Sequence, residues 1–293
     1  MLLNWIDQNI RYIFSLPAAL FVLLMVIFPL GYTAWISLHE WSMSSVTPPS
    51  WVGVGNYAEL LADSRFWNAV LNTLVFSFGT VFTETILGVA IAVLLNRRFR
   101  LKNVVRTLFL LPMVATPVAV AMVWQLIYEP TVGLANYLLR NLGLPPQLWL
   151  TSLGTVLPSL MIVDIWEWTP MITLIVLAGM TTLPQEPYES AIVDGATRWQ
   201  IFRMITLPLL IPTIVVAMLL RMIDALKTFD LIYATTQGGP GIASETLNIY
   251  GYVLGFNFFK MGLGSALIML FLLLVALVSL LFIYLRKKAG ELF

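Results

Sequence analysis

The 293-residue chain contains no cysteine and one histidine, His39. Those two shortages remove a disulfide framework, a thiolate metal site, a cysteine nucleophile and a histidine-based metal cluster. Charge is scarce as well: 11% of the residues are charged and 59% are apolar, whereas a soluble globular chain carries about one quarter charged residues. So little charge cannot cover a folded surface in water, and the chain reads as an integral membrane protein. Its 16 basic and 15 acidic residues leave a formal net charge of +1, which gives no basic surface for nucleic acid. A nucleotide-binding Gly-x4-Gly-Lys-Ser/Thr loop is also missing. The Gly-rich run Gly238-Gly239-Pro240-Gly241 is followed by no Lys-Ser/Thr pair and reads as a turn rather than a phosphate cradle. No cofactor is expected in this chain, and it has no means of hydrolysing ATP by itself.

What the sequence does contain is apolar runs. A helix needs about 20 apolar residues to cross the hydrocarbon core, and six stretches qualify: 15–38, 69–95, 107–128, 153–180, 208–233 and 261–285. The first is longer than a signal-peptide core and is followed by no small-x-small cleavage site, so it reads as a span. With six spans both termini share a side. That side carries Arg11, Arg97, Arg98, Arg100, Lys102, Arg106, Arg198, Arg203, Arg286, Lys287 and Lys288, against Arg65, Arg140 and Lys260 on the other. The asymmetry predicts cytoplasmic termini. The expectation is therefore an all-α, multi-pass protein forming one transmembrane domain over 1–293, with lipid as its surroundings. Between spans three and four there is room for one short helix, 134–141, ahead of Pro145-Pro146.

Six ionisable residues fall inside these runs: Glu84 in span two, Asp164 and Glu167 in span four, and Arg221, Asp224 and Lys227 in span five. Each costs roughly 2.5–3.5 kcal/mol at the centre of a span, so leaving all six unpaired costs on the order of 15 kcal/mol. They must face protein or a wet cavity. At about 100° per residue, Asp164, Glu167, Trp168 and Met171 share one helical face, with Trp166 nearly opposite. Arg221, Asp224, Ala225 and Thr228 share a face of span five, with Lys227 at its edge. Glu167 and Arg221 each lie 13 residues from the cytoplasmic end of their run, roughly 20 Å in, so the two faces are expected to meet. Two readings stay open: ion pairs that hold helices together, or a polar, aromatic-backed sugar site made by Asp164, Glu167, Trp168, Arg221, Asp224 and Lys227. Sugar hydroxyls need charged donors and acceptors, and a sugar's C–H face stacks on indole. Glu84 is expected to bond to a neighbouring span.

The cytoplasmic segment 181–207 carries a pattern of its own. Pro187 suits a helix start, Glu189 complements the positive helix end, and Glu189-Ser190-Ala191-Ile192-Val193 continues the helix until Asp194-Gly195-Ala196, where Gly195 ends or bends it. A second helix, 199–205, feeds span five through Ile205-Thr206-Leu207-Pro208. The residues alone suit an interfacial linker equally well.

This stretch resembles the cytoplasmic signature of binding-protein-dependent ABC importer permeases: Glu189-Ser190-Ala191, then Gly195, then Ile205-x-Leu207-Pro208. Asn56-Tyr57, Leu110-Leu111-Pro112, Asp224-Ala225-x5-Leu231-Ile232 and Gly238-Gly239-Pro240 are similar to the carbohydrate-uptake branch. The resemblance implies a six-span permease in a bacterial cytoplasmic (inner) membrane. It further implies a coupling helix in which Glu189, Ser190, Ala191, Asp194, Gly195 and Ala196 meet an ATPase subunit. The implied partners are a second homologous permease, two ATP-binding subunits that hold ATP and Mg, an extracytoplasmic substrate-binding protein and a carbohydrate substrate. The competing expectation is an ion-coupled secondary transporter with Glu84, Asp164 and Glu167 as its relay. It predicts inverted repeats between the chain halves, which the sequence does not display.

Overall fold

The structure, a computed structural model, describes residues 15–97 and 99–290. Arg11 and Arg98, two of the basic residues assigned to the cytoplasmic side, lie outside the described residues. In chain order the helices are α1 (Ser15–Ser37), α2 (Gly55–Ala62), α3 (Ser64–Asn96), α4 (Lys102–Leu110), α5 (Pro117–Ile127), α6 (Leu134–Asn141), α7 (Val156–Thr181), α8 (Glu186–Val193), α9 (Arg198–Leu226), α10 (Asp230–Thr235), α11 (Leu247–Tyr252) and α12 (Met261–Gly290). Two short strands, β1 (His39–Glu40) and β2 (Ser50–Trp51), pair antiparallel with His39 opposite Trp51. Helices α1, α3, α7, α9 and α12 are each long and apolar enough to cross a membrane. The short loop helix falls at Leu134–Asn141, as its sequence predicts.

Two expected spans take a different form. The run 107–128 is not one helix: α4 ends at Leu110, a 3-10 turn covers Pro112–Val114, and α5 begins at Pro117. Proline lacks the N–H that a helix interior requires and drives the preceding residue to extended geometry. Thr116 accordingly sits at φ −74°, ψ 139°. The run 208–233 also stops early. Helix α9 ends at Leu226, and α10 starts only at Asp230. Thr228 is therefore not on the α9 face that a continuous helix would give it, and the glycine-rich turn follows α10 rather than a transmembrane span.

The described residues divide into two compact units, one covering those up to 64 with 251–272, the other 65–250 with 273–290. In the first, α1 is apolar around its whole circumference and exposed until its last turn, where Ile36 and Ser37 become buried. The turn into β1 is fixed by Asn56, whose Nδ2 donates to the Ser37 and His39 carbonyls at 2.9 Å each.

In the second unit, α3, α7 and α9 pack around two apolar layers. One joins Val89, Ala92 and Leu95 to Ile172, Val176 and Leu177 and to Leu210, Ile214 and Ala217. The other joins Val81 to Met222, Ala225, Leu226 and Phe282. At the α3–α7 crossing Gly88 admits close contact: a Cβ there would lie 2.8 Å from Ile172 Cγ2. Small residues at such crossings are the usual means by which membrane helices approach. The outward end of α3 is tied to the segment before α11. Arg65 forms a two-pronged ion pair with Glu245 at 2.7 Å per bond, and Thr73 Oγ1 accepts the Leu247 N–H at 2.9 Å.

Candidate functional site

Helix α3 turns a polar stripe inward. Thr73, Ser77, Thr80 and Glu84 are all buried and recur at helical spacing, with Gly88 one turn further on. Glu84 is the deepest charge on this stripe. It meets Arg221 of α9, whose Nε donates to Glu84 Oε2 at 2.8 Å and whose Nη2 donates to Glu84 Oε1 at 3.1 Å. The same Nη2 donates to Asp164 Oδ2 of α7. One guanidinium thus binds two carboxylates and ties three helices together. All three side chains are at most 2% exposed. Arginine suits this position because its planar fork can serve both acceptors and it stays charged when buried.

Glu167, three residues after Asp164 on α7, is not part of this cluster. The matched depth of Glu167 and Arg221 suggests partners, but the guanidinium turns to Glu84 and Asp164 instead. Glu167 is 1% exposed, and its Oε1 has no hydrogen-bond partner. An unsatisfied buried carboxylate oxygen is costly. Glu167 lines a cavity of about 320 Å³, together with Asp164, Trp168, Arg221, Asp224 and Lys227. All six sequence-derived residues reach this one space. Trp168 is half-buried, and the Arg221 guanidinium stands 5.3 Å from its ring centroid, a cation–π geometry that holds the indole against the charge cluster. Trp166 turns away to pack on Trp124, with ring centroids 5.6 Å apart. Just beyond, Pro170 interrupts the α7 hydrogen-bond ladder, so the Trp166 carbonyl loses its usual N–H partner in the turn that carries Glu167 and Trp168.

Asp224 and Lys227 form the cavity's wetter edge. They pair at 3.7 Å and are 49% and 52% exposed. The break after Leu226 adds Phe229 and Asp230 to the lining, and the start of α5 adds Pro117, none of which the sequence reading singled out. The breaks that divided the expected spans therefore also supply the cavity wall. The expected bond of Glu84 to a neighbouring span is made to Arg221 of α9.

A second arrangement sits on the segment between α7 and α9. Helix α8 carries Pro187 in its first turn with Glu186 and Glu189, and it ends at Val193. Gly195 follows at φ +75°, a left-handed conformation that glycine adopts without strain. The Ala196 N–H returns to the Ala191 carbonyl at 2.9 Å to close the helix end. Thr197 and Gln200 then cap α9 reciprocally, as a capping box does. Glu189, Ser190, Asp194 and Gly195 are exposed, while Ala191 and Ala196 are half-buried. Ile192 and Val193 stand 66% and 87% exposed, so α8 offers an apolar tip edged by carboxylates. The helix is anchored from behind by Tyr188, whose hydroxyl donates to Thr206 Oγ1 at 3.1 Å. Because α9 runs without interruption from Arg198 to Leu226, this surface is continuous with the helix that holds Arg221.

Residues 84–290 match the family described as binding-protein-dependent transport system inner membrane component. The trehalose/maltose transport system permease protein MalF of Thermococcus litoralis is 38% identical over 276 residues, covering 93% of this chain and 92% of that protein. The trehalose transport system permease protein SugA of Mycobacterium tuberculosis is 33% identical over 284 residues, covering 97% and 91%. Among solved structures, a chain of a bacterial ABC transporter involved in the import of the acidic polysaccharide alginate shares the fold. Its TM-score is 0.83 at 24% identity, with 98% of each chain covered.

Proposed function

Since the chain belongs to the family of inner membrane components of binding-protein-dependent transport systems, we propose that it is the permease subunit of an ATP-driven importer for a sugar or sugar derivative. It crosses the membrane six times with both termini in the cytoplasm, α4 and α5 together making the third crossing. It works beside a second homologous permease, two ATP-binding subunits that hold ATP and Mg, and an extracytoplasmic binding protein that delivers the sugar. The α8 segment docks on an ATP-binding subunit through Glu189, Ser190, Ala191, Asp194, Gly195 and Ala196. Closure of the ATPase pair shifts α9, which switches the cavity between its two openings.

One observation carries the substrate part of this reading: Glu167, a buried carboxylate with an unpartnered oxygen, lines the same cavity as the indole of Trp168. Sugar hydroxyls donate to such an oxygen, and the C–H face of the ring stacks on Trp168. The relatives named for trehalose and maltose transport agree with a disaccharide-sized cargo. The midplane carboxylates also suit an ion relay, but an ion-coupled carrier has no use for an exposed α8 leading into α9.

Reconstitution tests the proposal. The chain is assembled with its partner subunits in proteoliposomes, and labelled-sugar uptake is followed with ATP and the binding protein on their respective sides. Uptake should require both, and it should persist when ion gradients are collapsed. Uptake driven by an ion gradient without ATP would refute the reading.

A further inference from the structure

We infer that the cavity admits uncharged saccharides and rejects acidic ones, because the buried cation that lines it, Arg221, is already committed to two carboxylates of the chain. The inference rests on the cavity being the sugar site. Sharing a fold with an importer of an acidic polysaccharide does not decide the charge of the cargo, since side chains set it.

Among the described residues lining the cavity, the cations are Arg221 and Lys227. Arg221 spends its fork on Glu84 and Asp164, both buried, and is itself 1% exposed. Turning it towards a ligand would strand two buried carboxylates, which is expensive. Lys227 stands at the half-exposed cavity edge, 3.7 Å from Asp224, where solvent screens its charge. What remains in the lining is acceptor chemistry: the carboxyl groups of Glu167 and of Asp230 at the start of α10. A uronate, sulfonate or phosphate moving into the buried part of this space would lose its hydration, find no uncommitted buried cation among the described residues, and face Glu167 at close range. A neutral saccharide brings hydroxyl donors to that carboxylate. Glu167 is thus the specificity-determining residue of the cavity.

The test uses the assembled complex in nanodiscs, without the binding protein, so that the permease alone discriminates. Saturation-transfer NMR is recorded with neutral disaccharides (trehalose, maltose, sucrose) and with acidic ones (digalacturonate, trehalose 6-phosphate). Signals that vanish in Trp168→Ala report the cavity. Neutral sugars should give such signals, and acidic ones should bind at least about tenfold more weakly, the factor that 1.4 kcal/mol produces. Glu167→Gln should narrow that gap several-fold while the complex stays assembled. Equal Trp168-dependent binding of both panels would overturn the charge inference and leave the sugar site standing. No Trp168-dependent signal from either panel would overturn the site and the inference together.

Discussion

Replacing Glu84 and Glu167 separately by Gln should give opposite results, although both are buried carboxylates in the same layer of helices. Glu84 accepts two bonds from Arg221 at 2.8 and 3.1 Å. Neutralising it leaves Arg221 with Asp164 alone and removes one prong of a fully buried pair. Breaking such a pair costs about 3–5 kcal/mol when one partner is deleted, and the amide of Gln recovers part of that by accepting one bond. Arg221→Met is the harsher change, since it strands Glu84 and Asp164 together. At about 2–4 °C per kcal/mol for a chain of this size, Arg221→Met should lower the unfolding midpoint by on the order of 10 °C, and Glu84→Gln by roughly half as much. Glu167 has an unpartnered oxygen and no bond to Arg221. Glu167→Gln should leave the midpoint unchanged or raise it. The triple variant Glu84→Met/Asp164→Leu/Arg221→Met should recover most of the loss, because a buried charge cluster replaced as a whole by apolar side chains of similar volume is often close to neutral. The assay is thermal unfolding of the detergent-solubilised assembled complex, followed by loss of the monodisperse chromatographic peak. If Glu167→Gln destabilises as much as Glu84→Gln, Glu167 is a counter-ion of Arg221 and the division between structural triad and free acceptor is wrong.

Further outcomes follow from the same geometry. Trp168→Ala should raise the sugar concentration for half-maximal uptake by several-fold, the scale of losing about 1 kcal/mol of ring contact, with basal ATPase activity preserved; unchanged uptake would remove Trp168 from the site. Gly195→Leu meets no neighbour, since nothing lies within 4 Å of a Cβ there. Its cost is the left-handed backbone, about 1–2 kcal/mol for a side-chain-bearing residue, together with a bulky group on the docking surface. Membrane insertion should survive while stimulated ATP hydrolysis and uptake fall sharply, and normal stimulation in an assembled Leu variant would refute the coupling role. Cysteines placed at Thr47 and Gly241 should react with an impermeant reagent in intact cells, whereas those at Asn103 and Thr197 should react only after permeabilisation. Outside labelling of Thr197 would reverse the orientation.

Much of this arrangement was legible in the sequence, and the exceptions have physical causes. Window hydropathy finds long regular helices such as α3, α7 and α12 because it sums apolar content. The same sum passes over Pro112 and Pro117, which break the third run, and over Lys227–Phe229, which separates α9 from apolar Leu231-Ile232-Tyr233. The face shared by Asp164, Glu167 and Trp168 was readable because that part of α7 keeps helical spacing. The partner of Arg221 was not, because Glu84 is 137 positions away and depth matching favoured Glu167. A usable signal existed in the spacing of Thr73, Ser77, Thr80, Glu84 and Gly88, a stripe of small and polar residues on an otherwise apolar helix. Such a stripe marks the side turned towards protein. Asp230 and Phe229 went unnoticed because a continuous span five would place them elsewhere; only the break after Leu226 brings them to the cavity.

A density map of the assembled complex trapped with its sugar would test the central claim most directly. The account predicts sugar density in the α7–α9 cavity, with a hydroxyl within hydrogen-bond distance of Glu167 Oε1 and the ring against Trp168, while Arg221 still holds Glu84 and Asp164. Sugar bound elsewhere along the pathway, with Glu167 closed off against protein, would contradict it.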